Sequence, residues 1–255
     1  MENHYHMMSI DEVTTIIRVS IAFTALAYAS IQDLKSREVD DRVWMLSIPP
    51  SACLTVVWVA LQPVQRLPPT AVSVAVSTAV AVFLNRAGLL GGADGKAILL
   101  IAVSVPLRPQ PAAVMPSTPF PSMSALLNGL TIVACFSLLN FTSNLVRCLR
   151  GERLFSGVEG SPWLKFLTMV GGKPVQVSEV DWRKYIPLEG GDTVRKLRLA
   201  GDVEDVPKPV HVDGVVWATQ GVPLIPLMLA GLALTLAVGD PVLALSLRLS
   251  KLLGA

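Results

Sequence analysis

The sequence predicts an all-α membrane protein with about six transmembrane helices and a small, β-containing soluble domain between helices five and six. Of its 255 residues, 52% are hydrophobic and only 16% are charged, against roughly 25% in soluble domains. The apolar residues form long segments, whereas the charges concentrate in one stretch. This apolar content excludes a disordered chain, and a net charge of +2 without a basic run argues against nucleic acid as a partner.

Six apolar segments are the candidate spans, because a helix needs about 20 apolar residues to cross the hydrocarbon core of a bilayer. The fourth segment is short and follows a glycine-rich turn. Irregular backbone at membrane depth is tolerated only where it is buried or lines a wet cavity, so this break indicates function. In chain order the segments are Val13–Ile31, Val43–Leu61, Pro69–Leu84, Ala97–Leu107, Ala125–Val146, and Val222 to just before Gly239.

The stretch 147–220 has a different character from the rest of the chain. It holds 11 Lys/Arg and 10 Asp/Glu, more than half of all charged residues. Short runs with period two, Pro174–Ser178 and Val210–Asp213, lie between glycine turns and predict strands. We therefore expect a membrane domain at 1–146, a soluble domain at 147–220, and a sixth helix with a short interfacial tail at 221–255.

The basic residues predict an orientation in the cell membrane, because cytoplasmic loops carry an excess of Lys and Arg. The basic-rich loops are those after spans one, three and five, which places the soluble domain in the cytoplasm and both termini outside. The residues on that side are Lys35, Arg37, Arg42, Arg86, Lys96, Arg147, Arg150 and Arg153, against Arg66, Arg108, Arg248 and Lys251 on the other.

Two acids lie at the cytoplasmic membrane boundary in this topology. Asp33 ends span one, and Asp94 precedes span four. Charged groups near a membrane core are costly and are commonly functional. Two adjacent carboxyls share one proton near neutral pH, because each disfavours ionisation of the other. The ionised member can then activate a water while the protonated member acts on a peptide carbonyl, so this chemistry requires no metal and no cofactor.

The glycines before the second acid support this interpretation. Gly91 and Gly92 lack a Cβ, so the backbone there can turn sharply, bring Asp94 towards Asp33 and admit an extended peptide. Taken singly, each acid has a plainer explanation: Asp33 as the partner of a nearby base, and Asp94 as a helix N-cap. Both acids on one side of the membrane, together with the glycines and the short span, favour a functional pair.

The two blocks around these acids resemble a known family. Asp33–Asp41 and Gly91–Lys96 are similar to the corresponding segments of type IV prepilin peptidases and archaeal preflagellin (pre-archaellin) peptidases, which are GxGD aspartic proteases. The resemblance implies six transmembrane helices and an aspartic endopeptidase whose catalytic pair is Asp33 and Asp94, supported by Gly91, Gly92 and Lys96. Ala93 stands where the motif has its second glycine. The CxxC zinc element of many bacterial members is absent, which favours an archaeal enzyme that only cleaves.

The family also implies a substrate class. Its substrates are precursors of archaellin or pilin type with class III signal peptides, in which a short basic region precedes the cleavage site and an apolar helix. Glu38, Asp40 and Asp41 would receive the basic region, or would simply balance neighbouring bases in a solvated loop. Lys96 would orient or neutralise the pair, or extend to the membrane surface. The expected partners are therefore such precursors and the lipid bilayer.

The sequence leaves other functions open beside that of a protease. A transporter or channel subunit is the main alternative, because membrane carboxylates carry protons or cations and broken helices occur in transporters. The chain has no evident inverted repeat, and its acids lie at the boundary of the membrane, both of which argue against a transporter.

The chain also lacks an HExxH motif and a histidine within any span, and its three cysteines are dispersed. These absences argue against metalloproteases, serine proteases and a zinc site. A non-catalytic scaffold would tolerate replacement of both acids.

Overall fold

The computed structural model divides the chain into two compact units. The first comprises the described residues within Met1–Thr131 and Pro223–Ala255, and the second those within Ile132–Val222. The predicted run Val210–Asp213 lies outside the described residues. Those described are 10–109, 115–116, 118–179, 181–182, 184–190, 195–197, 214–252 and 254.

The first unit is helical, and its helices follow the apolar segments of the sequence. A short 3-10 turn, Val64–Arg66, leads into the third helix, and the fifth helix continues into the second unit. The helices are α1 Ile10–Ser36, α2 Asp41–Ala60, α3 Leu67–Arg86, α4 Gly92–Ser104, α5 Pro121–Leu149, α7 Leu224–Ala237 and α8 Pro241–Leu252. The sixth helix of the chain, α6 Pro162–Gly171, belongs to the second unit.

The described helices provide four or five candidate membrane spans. Length and apolar composition qualify α1, α2, α5 and the segment Val64–Arg86. The pair α7 and α8 qualifies only when taken together, and it is bent by 59°. With 13 residues, α4 rises only about 20 Å, short of the 30 Å hydrocarbon core. The lengths therefore support a multi-pass membrane protein, whereas the predicted count of six spans is not confirmed.

The core of the first unit centres on α1 and α4. Ala22, Leu26 and Ala29 of α1 are fully buried, as are Ile98 and Ile101 of α4. Small residues on α1 allow neighbouring backbones to approach closely, which is how helices associate where lipid removes the hydrophobic driving force. This packing sets α1 directly against α4, the two helices that carry the predicted acids.

Glycine allows a second close crossing, between α5 and α7. A Cβ built on Gly231 would lie 2.1 Å from the carbonyl oxygen of Ala125. No side chain fits there, so any replacement of Gly231 would force the two helices apart.

The second unit contains two small sheets, which confirms the predicted strand-containing region. One sheet has the order β1-β5-β4, with β1 and β5 parallel, and the other has the antiparallel order β2-β6-β3. The predicted run from Pro174 is realised as β2, but Val177 and Ser178 belong to a 3-10 turn. The strands are β1 Val158–Glu159, β2 Lys173–Gln176, β3 Tyr185–Pro187, β4 Glu189–Gly190, β5 Arg195–Leu197 and β6 Val215–Gln220.

An aromatic pair anchors the core of this unit. Trp217 of β6 is almost fully buried and stacks on Phe155 with a centroid distance of 4.7 Å. Its indole N–H donates to the carbonyl oxygen of Leu154 at 3.0 Å. Glu189 accepts the Trp217 backbone N–H at 2.7 Å and pairs with Arg195 at 2.6 Å. A buried carboxylate is tolerated here because it has both a backbone donor and a guanidinium.

Candidate active site

Asp33 lies in the last turn of α1 and is half-buried. Its Oδ2 atom is buried and has no hydrogen-bond partner among the described residues. The helix ends just beyond it, where Arg37 adopts a left-handed conformation (φ 61°) and its N–H donates to the Asp33 carbonyl oxygen at 3.0 Å. One carboxyl oxygen of Asp33 is therefore buried with its hydrogen-bonding capacity unused by the described residues.

Asp94 lies in the first turn of α4, before the apolar part of that helix. Its Oδ2 accepts a hydrogen bond from the Gly91 N–H at 3.1 Å. Burial raises the pKa of the Asp94 carboxyl to about 6; the Gly91 N–H opposes this shift, and the Asp33 carboxylate adds to it. The two acids therefore interact electrostatically although 61 positions separate them in the sequence.

Such a pair can divide the two roles of acid–base catalysis. Near pH 6 Asp94 is partly protonated, so it can supply the acid. The shared proton belongs to the pair rather than to one residue. In the part of the chain that the structure describes, no group of three or more His, Cys, Asp or Glu is placed to hold a metal ion.

The comparisons with known proteins agree with this geometry. Residues 20–143, which include both acids and the glycine turn, match the model of the type IV leader peptidase family. Over this stretch, which is just under half of its length, the chain resembles that family. It is also 24% identical over 245 residues to the preflagellin peptidase of Methanococcus voltae, covering 91% of this chain and 99% of that protein. The preflagellin peptidase of Methanococcus maripaludis (strain C6) is 24% identical over 238 residues, with 89% and 97% coverage.

This match and the preflagellin peptidases among its relatives together indicate that the chain is a membrane peptidase of aspartic type. Within the peptidase, the two glycines before Asp94 are not equivalent. A Cβ on Gly91 would lie 3.1 Å from the Asp94 Oδ2, whereas a Cβ on Gly92 would meet only the Asn85 Nδ2 at 4.0 Å. Gly91 is thus the glycine that the carboxyl packs against. Ala93, at the position of the motif's second glycine, packs against the hydrophobic core.

Lys96 extends from α4 to the start of α2. Its Nζ forms an ion pair with the Asp41 Oδ1 at 2.5 Å, and both side chains are exposed. Asp40 caps α2 by accepting the Arg42 N–H at 2.9 Å, and Glu38 is exposed. The three acids predicted to bind substrate therefore differ: Asp41 is paired, Asp40 supports the helix, and Glu38 is open to solvent.

The sequence showed Arg18 only as an interruption of span one and did not reveal its contacts. The Arg18 side chain is 2% exposed and extends from α1 to partners on α2 and α4. Its Nη1 donates to the Thr55 hydroxyl at 3.1 Å and to the Ser104 carbonyl oxygen at 3.3 Å, and its guanidinium lies 4.4 Å from the Trp58 ring centre. A charge inside a span is the signal that could have identified it.

Proposed function

We propose that the peptidase removes class III, type IV pilin-like signal peptides from archaellin or pilin precursors, with Asp33 and Asp94 as its catalytic pair. The observation that carries this proposal is that α1 packs against α4, with Asp33 in the last turn of α1 and Asp94 in the first turn of α4. The preflagellin peptidases among its relatives support the choice of substrate.

The proposed mechanism uses only the two acids and a water. The ionised carboxylate, Asp33, takes a proton from the water as its oxygen attacks the peptide carbonyl carbon. The protonated Asp94 gives its proton to the carbonyl oxygen. When the tetrahedral intermediate collapses, one of its hydroxyls returns a proton to Asp94 as the C=O bond re-forms. The C–N bond breaks, and the amine leaves with the proton that Asp33 had taken. The Gly91 N–H holds the Asp94 oxygen in place throughout.

The proposed topology has six crossings, with α4 and the bent pair α7 and α8 completing the count. The excess of Lys and Arg beside Asp33 and Asp94 supports a cytoplasmic active site and outward termini. A soluble domain at 147–220 would then lie on the cytoplasmic side, between a membrane domain at 1–146 and a final helix at 221–255. Glu38, whose carboxylate is exposed, is the best placed of the three loop acids to meet the basic region of a signal peptide.

The test is cleavage of a tagged preflagellin precursor by membranes that contain the peptidase. Asp33→Asn and Asp94→Asn keep the side-chain shape but cannot share the proton, so each should abolish the shorter product. Glu159→Gln makes the same type of change at an exposed carboxylate of the second unit and should cleave at the wild-type rate. Immunoblots must show equal amounts of each variant in the membrane.

The outcomes separate the alternatives. Cleavage that survives either asparagine substitution removes that acid from the mechanism. If the wild-type protein leaves a panel of archaellin and pilin precursors uncut, the proposed substrate class is wrong. A channel or transporter with two membrane carboxylates would then become the better explanation, and ion flux in vesicles would test it.

A further inference from the structure

Helix α6 presents an aromatic face that the described residues of the second unit leave exposed. Its Leu164 and Met169 pack against the core of that unit. On its other side, Trp163 is 66% exposed and Phe166 is 43% exposed. Their rings stack with a centroid distance of 5.6 Å. Large exposed aromatics that form one surface indicate a binding face.

Two residues of α5, Phe141 and Asn144, attach this helix to α5. The ring of Phe166 meets the ring of Phe141 edge to face at 5.6 Å. Asn144, which is 2% exposed, donates from its Nδ2 to the carbonyl oxygens of Met169 and Gly172, both at 2.9 Å. These bonds satisfy carbonyls at the C-terminal end of α6, which would otherwise lack partners. The position of α6 along α5 is therefore fixed.

The position of Phe141 and Asn144 along α5 gives the depth of α6. Helix α5 has 29 residues and is therefore about 43 Å long, close to the 40–45 Å of a bilayer with its headgroups. Each headgroup region is then about 6 Å deep, so the last turn of α5 corresponds to one headgroup region. Phe141 and Asn144 lie eight and five residues before the helix ends at Leu149, or about 12 and 8 Å.

The chemistry around α6 at this depth suits lipid. On α5, Leu145 and Leu149 are exposed, and Leu149 is followed by exposed Arg150 and Arg153. Aromatic side chains with bases nearby are typical of the boundary between acyl chains and anionic headgroups.

We propose that α6 is an interfacial helix that inserts Trp163 and Phe166 at the boundary between the headgroups and the acyl chains and so holds the second unit against the bilayer. The occupant of the aromatic face is the lipid itself, because α6 is attached to a membrane-spanning helix at the depth where that span leaves the hydrocarbon core. This role is independent of the peptidase reaction and of the precursor that is cut.

The test measures tryptophan emission from the full-length protein in vesicles of phosphatidylcholine and phosphatidylglycerol. The difference between the wild type and Trp163→Phe isolates the emission of Trp163. Lipids brominated near the top of the acyl chain should reduce this emission by roughly half, while aqueous acrylamide should have little effect. Trp217, which is 1% exposed in the core of the same unit, is the matched control: the emission lost in Trp217→Phe should resist both quenchers.

Two results would overturn the proposal. Quenching of Trp163 by acrylamide but not by brominated lipid would place α6 in water. Resistance to both quenchers would mean that protein, either a second copy or another chain, covers the aromatic face. If Trp163→Phe does not reconstitute, Trp163→Tyr gives the same difference with a ring of similar size.

Discussion

Arg18 of α1 donates a hydrogen bond to the carbonyl oxygen of Ser104, the last residue of α4, with an Nη1–O distance of 3.3 Å. Asp33 lies fifteen residues further along α1, and Asp94 lies ten residues earlier in α4. The same two helices therefore hold the arginine contact at one end and the proposed catalytic acids at the other. We expect a shift of α4 at this contact to displace Asp94 relative to Asp33, because both helices are continuous between these positions.

The first prediction concerns Arg18→Met, which keeps the length of the side chain but removes its donors. A shift of α4 should separate Asp94 from Asp33 and lower kcat by about tenfold or more, with little change in KM. The limb of the pH–rate profile that depends on Asp94 should move to lower pH, because a more distant Asp33 raises the Asp94 pKa less. Steady-state cleavage of a precursor peptide over a range of pH measures all three quantities.

Two further variants show whether Arg18 positions the two acids or only stabilises the fold. Arg18→Lys keeps the positive charge but loses the planar guanidinium and its several N–H donors. It should therefore recover only part of the kcat that Arg18→Met loses. Arg66→Met makes the same change at an exposed arginine and should behave as the wild type. Loss of thermal stability in Arg18→Met with kcat and the pH profile unchanged would contradict the positioning role.

The second prediction follows from the pKa of Asp94, which burial raises to about 6. The proposed mechanism needs a proton on this carboxyl, so kcat/KM should fall about tenfold per pH unit above pH 6. The folded protein holds that proton more tightly than the unfolded chain, whose carboxyl has the ordinary pKa of 3.8. Asp94 therefore stabilises the fold most below pH 4, and this contribution is lost as the pH rises through 6.

Asp94→Asn tests the same linkage without activity. Its melting temperature in detergent should exceed that of the wild type at pH 8, where the buried carboxylate is charged, by the equivalent of about 1 kcal/mol after allowance for solvent screening. The difference should largely vanish near pH 4. Equal melting temperatures at both pH values would show that the folded protein does not raise the Asp94 pKa.

The third prediction distinguishes the two glycines of the turn. In Gly91→Ala the new methyl group would approach the Asp94 Oδ2 to 3.1 Å, so the carboxyl must move by a few tenths of an ångström. We expect kcat to fall several-fold, because small displacements of a reacting group are costly. Gly92→Ala, whose methyl group meets only Asn85 at 4.0 Å, should retain activity. If Gly92→Ala loses more activity than Gly91→Ala, the turn must change shape when substrate binds.

The features that the sequence predicted well depend on residues close together in the chain. The apolar runs predicted the helices, and the glycine turn predicted that Asp94 opens a short α4. The number of spans was less predictable, because the broken pair α7 and α8 bends at Gly239, whose φ is 115°. A positive φ permits such a bend but does not decide whether the two helices form one crossing.

The features that the sequence did not reveal depend on distant partners. Arg18 and Ser104 are 86 residues apart, and Lys96 and Asp41 are 55 apart. Lys96 could equally have faced the acid pair, and only the packing of α4 beside α2 selects Asp41. Periodicity reports which face of a helix is apolar, but it does not report which residue of another helix lies opposite.

Asp240, between α7 and α8, is the subject of the fourth prediction. It is 2% exposed, and its Oδ2 accepts hydrogen bonds from the Thr118 N–H and the Ser124 hydroxyl, both at 2.7 Å. The Asn128 amide donates to its Oδ1 at 3.3 Å. Asp240→Ala leaves these buried donors without an acceptor, so the free energy of unfolding should fall by about 2–4 kcal/mol.

Graded unfolding of the purified protein in SDS, followed by circular dichroism, measures this loss. Asp240→Asn keeps one acceptor oxygen and should lose about half as much as Asp240→Ala. Ser246→Ala, at an exposed position of α8, is the control and should lie within about 0.5 kcal/mol of the wild type. If Asp240→Asn instead loses as much as Asp240→Ala, the negative charge rather than the number of acceptors holds α7, α8 and α5 together at the bend.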